Sequence, residues 1–113
     1  MLKKDILRRK DDFNSIYRKG RSIGERYVVL FYRENDLSYN RTAFLASKKL
    51  GNSIVRYRLT RLIRESYRLQ EERFRCGLDI IVIARIGAKG KNYKDIVGAM
   101  LHLGHLHEII DER

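Results

Sequence analysis

Apolar residues recur at helical spacing in three segments of the chain, and the first of them is KDDFNSIYRKG. Its aromatic residues Phe13 and Tyr17 are four positions apart, so they share one face of a helix. Asp11 or Asp12 is placed to cap the amino end, and Gly20 is placed to end the helix. The pattern predicts a short first helix with an aromatic face.

The second and third helical segments are longer. The second is predicted to run from a cap at Asn52 or Ser53 to about Glu72, and the third to open at Asn92 or Tyr93. The apolar stripe of the second helix is suited to packing on a sheet. It comprises Val55, Leu59, Leu62, Ile63, Ser66 and Leu69.

Four shorter segments carry the β-branched and aromatic residues typical of strands. A short strand is predicted around residues 21–23, a longer one in the run YVVLFY, and a third in RTAFLASKK. Because the turn residues DLSYN separate the last two, we predict that they form an antiparallel hairpin. The apolar run LDIIVIAR, residues 78–85, is typical of a strand in the middle of a sheet.

These segments follow the order α-β-β-β-α-β-α, which predicts an α+β fold. The 113 residues show no internal repeat, low-complexity tract or linker, so we interpret residues 1–113 as a single domain. Hydrophobic residues make up 43% of the chain, which is typical of a folded protein with its own core.

The charge is unevenly distributed and indicates a polyanionic partner. The formal net charge is +11. Residues 48–75 hold nine Lys and Arg against three Asp and Glu, and residues 1–26 hold nine against four. Residues 76–113 hold five of each, so we interpret that segment as scaffold. Such an excess attracts nucleic acid at long range.

The face of the second helix opposite its apolar stripe is basic. A solvated face normally interleaves acids with bases, but Glu65 is the one acid between residues 53 and 68. Arginine also suits bidentate contacts with phosphate. We therefore predict a polyanion-binding surface made of Lys48, Lys49, Arg56, Tyr57, Arg58, Arg61, Arg64 and Arg68.

The aromatic residues of the first helix indicate a second surface. Tyr17 lies beside Arg18, Lys19 and Arg21, and aromatic side chains among cations are typical of sites for single-stranded nucleic acid. Phe31 on the long strand has two interpretations, as part of this surface or as ordinary core. A cleft between the first helix and the sheet would suit an unpaired strand.

Catalytic or metal-binding residues are not predicted. The chain shows no carboxylate pair or phosphate-binding glycine loop, and we interpret His102, His105 and His107 as partly exposed helix residues. Cys76, the single cysteine, is interpreted as a small buried side chain. The chain lacks an apolar run of membrane-spanning length and a secretory leader, so we expect a soluble cytoplasmic protein without a membrane partner.

Four pieces of the chain, taken in order, resemble the protein subunit of bacterial ribonuclease P. KDDFNSIYRKGRSIGERYVVLFY is similar to that family's aromatic helix and first long strand, and FLASKKLGNSIVRYRLTRLIRES is similar to its arginine signature. LDIIVIAR and YKDIVGAMLHL resemble its last strand and closing helix. One position departs, because the family's Arg-Asn-Arg is Arg56-Tyr57-Arg58 here.

The resemblance implies a two-layer α+β sandwich with a mixed four-stranded sheet and a left-handed strand-helix-strand crossover, as in some ribosomal proteins. It implies an accessory subunit of ribonuclease P, an endoribonuclease that matures the 5′ end of tRNA by hydrolysis. The catalytic centre and its Mg²⁺ ions are then expected on the RNA subunit. The implied partners are ribonuclease P RNA and the 5′ leader of precursor tRNA, with no obligate protein partner.

By position, the resemblance carries over two sets of residues. The leader-binding set is Phe13, Tyr17, Phe31, Ser47 and Lys48. The RNA-docking set is the basic surface defined above, and the role of Tyr57 within it stays open.

Other function classes stay open from the residues alone. A ribosomal or other structural RNA-binding protein would share the basic helix. A duplex DNA-binding protein is weaker, because a strand is predicted where a helix should precede the recognition helix. A membrane-surface role lacks a bulky apolar face beside the basic one.

Overall fold

A computed structural model of the protein describes residues 6–110 and contains the predicted elements in the predicted order. The helices are α1 (Lys10–Lys19), α2 (Ser53–Arg68) and α3 (Tyr93–Leu106). The strands are β1 (Arg21–Gly24), β2 (Val28–Glu34), β3 (Arg41–Leu45) and β4 (Leu78–Ala84). The α+β class is confirmed.

The four strands form one mixed sheet in the order β1-β2-β4-β3, and β4 lies inside it as predicted. β4 pairs antiparallel with β2 and parallel with β3. The predicted hairpin of β2 with β3 is therefore wrong. The turn is bonded instead to the β4 segment, since Asn35 Nδ2 donates to Asp79 Oδ1 at 3.0 Å and Asn40 Oδ1 accepts from Leu78 N at 2.8 Å.

α2 is the crossover between the parallel strands β3 and β4, because parallel neighbours cannot be joined by a tight turn. The left-handed sense implied by the resemblance stays a prediction. The helix to which the resemblance assigns RNA docking is thus also the connection between β3 and β4.

The two faces of the sheet are covered unequally. Leu30, Ile80 and Val82 face the main core, where they pack with side chains of α2 and α3. On the other face, Ile81 packs with Ile16 of α1 in a smaller cluster. This second face is less fully covered, since Phe31 and Ile83 are only half-buried there.

Local capping signals explain where α2 and α3 begin. Asn52 Oδ1 accepts from Val55 N at 3.0 Å. Asn92 and Asp95 form a reciprocal capping box at the start of α3. Both asparagines were among the predicted caps.

Two predicted helix ends are wrong. The N-cap of α1 is Arg9 rather than Asp11 or Asp12, which lie in the first turn. α2 ends at Arg68 rather than near Glu72, so Leu69 leaves the predicted apolar stripe and is 61% exposed. A one-turn helix follows over Glu71–Arg73, and the ring of Tyr67 is buried between those of Phe44 and Phe74.

The cap at Asn52 should contribute measurably to stability. Asn52→Ala removes the acceptor for Val55 N, so we expect the free energy of unfolding to fall by about 1 kcal/mol. Urea denaturation followed by circular dichroism measures this change. Asn52→Asp keeps an acceptor oxygen and should lose much less; an equal loss in both variants would show that the hydrogen bond contributes little.

Candidate nucleic-acid interface

The outward face of α2 and the turn before it present most of the predicted docking residues to solvent. Tyr57, at 62% exposure, lies on it with Arg58 and Arg61, and Lys48 and Lys49 are exposed in the short turn before the helix. These side chains are therefore accessible to a large partner. Their role in docking stays a prediction.

Three arginines of the predicted set are not both exposed and unpaired: Arg56 and Arg64 are half-buried, and Arg68 forms an ion pair. Arg68 is exposed but paired with Glu65, whose Oε2 lies 2.8 Å from Arg68 Nη2. The hydrogen bond from Arg68 lowers the pKa of Glu65, so the carboxylate stays charged and offsets one cation at neutral pH. Arg56 is half-buried, and its Nε is buried without a hydrogen-bond partner among residues 6–110.

Arg64 connects the basic helix with the sheet edge. It is half-buried and lines a cavity of about 230 Å³ together with Phe13 of α1 and Leu45 of β3. The cations of α2 therefore divide between two directions. Arg58 and Arg61 point to solvent, whereas Arg64 reaches the edge beside the predicted cleft.

A basic groove, which sequence reasoning missed, runs between α2 and the residues before α3. Arg58 and Arg61 line one side of a cavity of about 490 Å³, and Lys91 and Tyr93 line the other. An adjoining cavity of about 250 Å³ adds Lys89. No acidic residue in the described part of the chain lines either cavity.

The groove corrects the interpretation of residues 76–113 as scaffold. That segment is electrically neutral as a whole, but the fold places Lys89 and Lys91 beside the arginine helix, and none of its described acids, Asp79, Asp95 and Glu108, lines the groove. The available signal was the spacing of lysines around glycine in GAKGK. Gly90, with φ of +76°, makes the turn that separates the two lysines.

The aromatic residues of the predicted leader site lie together on the less covered face of the sheet. The rings of Tyr17 and Phe31 meet edge to face, with centroids 5.0 Å apart, and Phe13 lies 6.3 Å from Tyr17. Tyr17 is 40% exposed, and its burial raises the pKa of the phenol. It therefore stays neutral at physiological pH, and a neutral ring does not repel phosphate.

Phe31 takes part in both the small core and the cluster of aromatic rings, and its role in binding a strand stays a prediction. It packs on the small core beside Ile81 and still contacts Tyr17, so it forms the floor of the aromatic cleft. Ser47 and Lys48 are exposed just beyond β3, whose Leu45 faces the same side of the sheet. We use the name aromatic cleft for the surface formed by Phe13, Tyr17 and Phe31.

A buried carboxylate, Asp79, lies between the sheet and α1. Arg41 binds it with two contacts, Nη2 to Oδ2 at 2.7 Å and Nε to Oδ1 at 2.8 Å, and Arg33 Nη2 lies 3.3 Å from Oδ2. Burial alone would raise the pKa of Asp79, but hydrogen bonds from Arg41 and Asn35 and the charges of Arg41 and Arg33 lower it. The carboxylate is therefore ionised at neutral pH.

The same two arginines bind α1. Arg33 Nη1 donates to Ser15 Oγ, and Arg41 Nη1 lies 3.6 Å from Asp12 Oδ2. These polar contacts fix α1 against the sheet and hence the position of Tyr17 over Phe31. Sequence reasoning missed this cluster, although an aspartate within the apolar run LDIIVIAR was a visible signal.

The remaining candidate residues form no metal site in the described chain. His102 and His105 are exposed, and Nδ1 of the half-buried His107 shares a hydrogen bond of 2.7 Å with the Tyr32 hydroxyl. Within residues 6–110, no three His, Cys, Asp or Glu side chains are grouped to share a metal ion.

Two further features concern the surface. The prediction that Cys76 is buried is wrong: it is exposed, in the turn between the buried Phe74 and Gly77, whose φ is +85°. Among residues 6–110, no helix has the length and apolar character needed to cross a membrane.

Comparison with known proteins gives a consistent result. The profile of the family described as Ribonuclease P matches residues 1–106. A ribonuclease P protein component from Lachnoclostridium phytofermentans is 48% identical over 106 residues, which cover 94% of this chain and 91% of the relative. One from Alkaliphilus metalliredigens is 45% identical over 97 residues, covering 86% and 87%.

Two solved structures share the fold. The RNase P protein of Staphylococcus aureus superposes with a TM-score of 0.82 at 30% identity, covering 95% of this chain and 98% of that one. The protein from Thermotoga maritima gives 0.78 at 29% identity, covering 86% and 92%.

Proposed function

Because the chain belongs to the ribonuclease P protein family, we propose that it binds the RNA subunit of that ribonucleoprotein and the 5′ leader of precursor tRNA. In this role the basic face of α2 and the basic groove contact the RNA subunit. The aromatic cleft holds the unpaired leader. The protein thereby promotes maturation of the 5′ end of tRNA.

We assign the hydrolysis itself to the RNA subunit. The site residues of this chain are cations and aromatic rings, which bind and orient nucleic acid. Mg²⁺ bound by the RNA would supply the activated water. The described residues offer no grouped ligands that would hold such an ion, so we assign this chain only binding and orientation.

The observation that carries the proposal is the presence of two chemically different surfaces on one small body. The basic groove has cations without acids, which suits the phosphates of a folded RNA. The aromatic cleft has exposed ring surface, which suits unstacked bases. A protein that binds a folded RNA subunit and the unpaired end of its substrate at the same time needs both surfaces.

The test is cleavage of a precursor tRNA by a bacterial ribonuclease P RNA at low Mg²⁺ concentration, with and without this protein. We expect the protein to restore accurate cleavage at the 5′ end. Tyr17→Ala should weaken binding of precursor tRNA by about tenfold, which is about 1.4 kcal/mol and within the roughly 1–3 kcal/mol of one stacked base, and leave binding of mature tRNA unchanged.

A different outcome would favour the general RNA-binding alternative. If the protein binds the RNA but cleavage stays inactive, the chain is a structural RNA-binding protein. If Tyr17→Ala weakens binding of precursor and mature tRNA equally, the cleft does not hold the leader. Tyr57→Asn, which restores the family pattern, serves as the control for the one departure in the signature.

A further inference from the structure

A cavity of about 600 Å³ lies where α1 ends and β1 begins, next to the end of β2. Lys19 and Arg21 line it from one side, and Tyr32, Arg75 and His107 line it from others. Its volume falls in the range of sites that bind small organic molecules. We call it the Lys19 pocket, and it is separate from both surfaces described above.

The charge of the Lys19 pocket favours an anion. Four cationic side chains line it against two acidic ones, Glu34 and Glu108. Arg75 Nη2 lies 3.6 Å from Glu34 Oε1, and Arg33 is held by Asp79. Lys19 and Arg21 are exposed and form no ion pair with any residue between 6 and 110, so their charges are available to a phosphate.

The wall of the pocket offers an aromatic surface held in place. Tyr32 is 7% exposed, and the hydrogen bond that its hydroxyl shares with His107 Nδ1 fixes the imidazole ring. The centroids of the Tyr32 and His107 rings are 5.2 Å apart, and the two planes meet at 76°. A fixed imidazole is suited to stack on a base. Glu34 and Glu108 supply acceptors for ribose hydroxyls or base amino groups.

The pocket lies near the aromatic cleft, on the path around the end of α1. Tyr17 precedes Lys19 by two residues in the same helix, and Phe31 and Tyr32 are neighbours in β2 that face opposite sides of the sheet. β1 is the edge strand on this side, and three of its four residues are exposed. A strand that leaves the cleft across this edge meets Arg21 and Lys19 first.

We propose that the Lys19 pocket binds one phosphorylated nucleotide of the single strand whose neighbouring nucleotides occupy the aromatic cleft. Lys19 and Arg21 contact the phosphate, and the base stacks on His107. This inference rests on the proposed function, because the strand is the leader assigned to the cleft. It extends the RNA footprint around the sheet edge.

The test compares two 5′-phosphorylated oligoribonucleotides, one of roughly four and one of roughly ten nucleotides, a range typical of single-strand sites. The double variant Lys19→Ala/Arg21→Ala should bind the longer RNA about tenfold more weakly, with the slope of log affinity against log salt reduced by about 1.4. Binding of the shorter RNA should not change. Fluorescence anisotropy measures both.

A matched control removes the same charge elsewhere. Arg73→Ala/Lys94→Ala deletes two exposed cations that do not line the Lys19 pocket. It should change the binding of both RNAs by less than about twofold, since distant exposed charges are screened by salt. An equal loss in the control would overturn the inference, because only net charge would then matter.

NMR of the histidine ring protons gives a second measurement. The longer RNA should shift the signals of His107 and leave those of His102 and His105 unchanged. Adenosine monophosphate tests whether the pocket binds a free nucleotide instead of one nucleotide of a strand. If it saturates the shift of the His107 signals at a lower concentration than the longer RNA, the proposal that the pocket binds the strand is wrong. If inorganic phosphate does so, the base does not stack and the inference fails.

The result also separates this inference from the proposed function. If Tyr17→Ala weakens both RNAs but Lys19→Ala/Arg21→Ala weakens neither, the pocket inference is wrong and the cleft proposal stands. If Tyr17→Ala changes neither, the cleft proposal is wrong and the pocket inference fails with it.

Discussion

Asp79→Ala should lower the free energy of unfolding by about 3 kcal/mol, the lower end of the loss seen when one partner of a buried ion pair is removed. Asp79 is fully buried, and its removal leaves Arg33 and Arg41 without their shared carboxylate. The lower end applies because both arginines keep 23% of their side-chain surface exposed. Urea denaturation measures the loss.

The pH dependence provides the check on mechanism. Because the folded-state pKa of Asp79 is lowered, its contribution to stability is complete above the unfolded pKa of about 3.9 and is lost as pH falls through the folded value. The variant should therefore differ most from the parent at neutral pH and converge with it in acid. Glu72→Ala, which removes an exposed acid, is the control. A constant difference between pH 7 and pH 2 would contradict the ionic explanation.

Removing the four cations of the basic groove should produce the largest loss of RNA affinity. We expect the variant with alanine at Arg58, Arg61, Lys89 and Lys91 to bind ribonuclease P RNA on the order of 100-fold more weakly, with a salt slope smaller by about 3. The physical reason is the loss of phosphate contacts in a groove without acids. Filter binding at several salt concentrations measures both quantities.

The control for this variant removes an equal charge from other exposed positions. Alanine at Arg8, Lys10, Arg73 and Lys94 changes the net charge equally, and none of the four lines the groove. Its affinity should fall much less, and a fall of the same size would show that binding depends on net charge alone. A second comparison, of Lys89→Ala/Lys91→Ala with the parent, isolates the lysines that sequence reasoning missed.

Local signals predicted the elements well, because their causes are local. The cap at Asn52 bonds a residue three positions away, and the apolar run of β4 identifies an interior strand by itself. The pairing of β2 with β4 joins residues more than 40 positions apart, such as Phe31 and Ile81. A turn signal next to β2 cannot report on such a partner, so the predicted hairpin was wrong.

The same difference between local and long-range causes applies to the candidate site. Helical periodicity placed Arg58 and Arg61 on one exposed face, as the structure shows. It could not place Lys89 and Lys91 against that face, because the fold brings the two segments together through the packing of α3 on α2. Nor could it show that Asp79 serves two arginines from other strands.

The interior position of β4 has a consequence for the newly made chain on the ribosome. Both neighbours of β4 precede it in the chain, so the four-stranded sheet cannot assemble until residues up to Ala84 have emerged. Until then the core face on which α2 packs lacks Ile80 and Val82 of β4, and Asp79 has not met its arginines. An unfinished chain thus carries the cations of α2 before the sheet that positions them is complete.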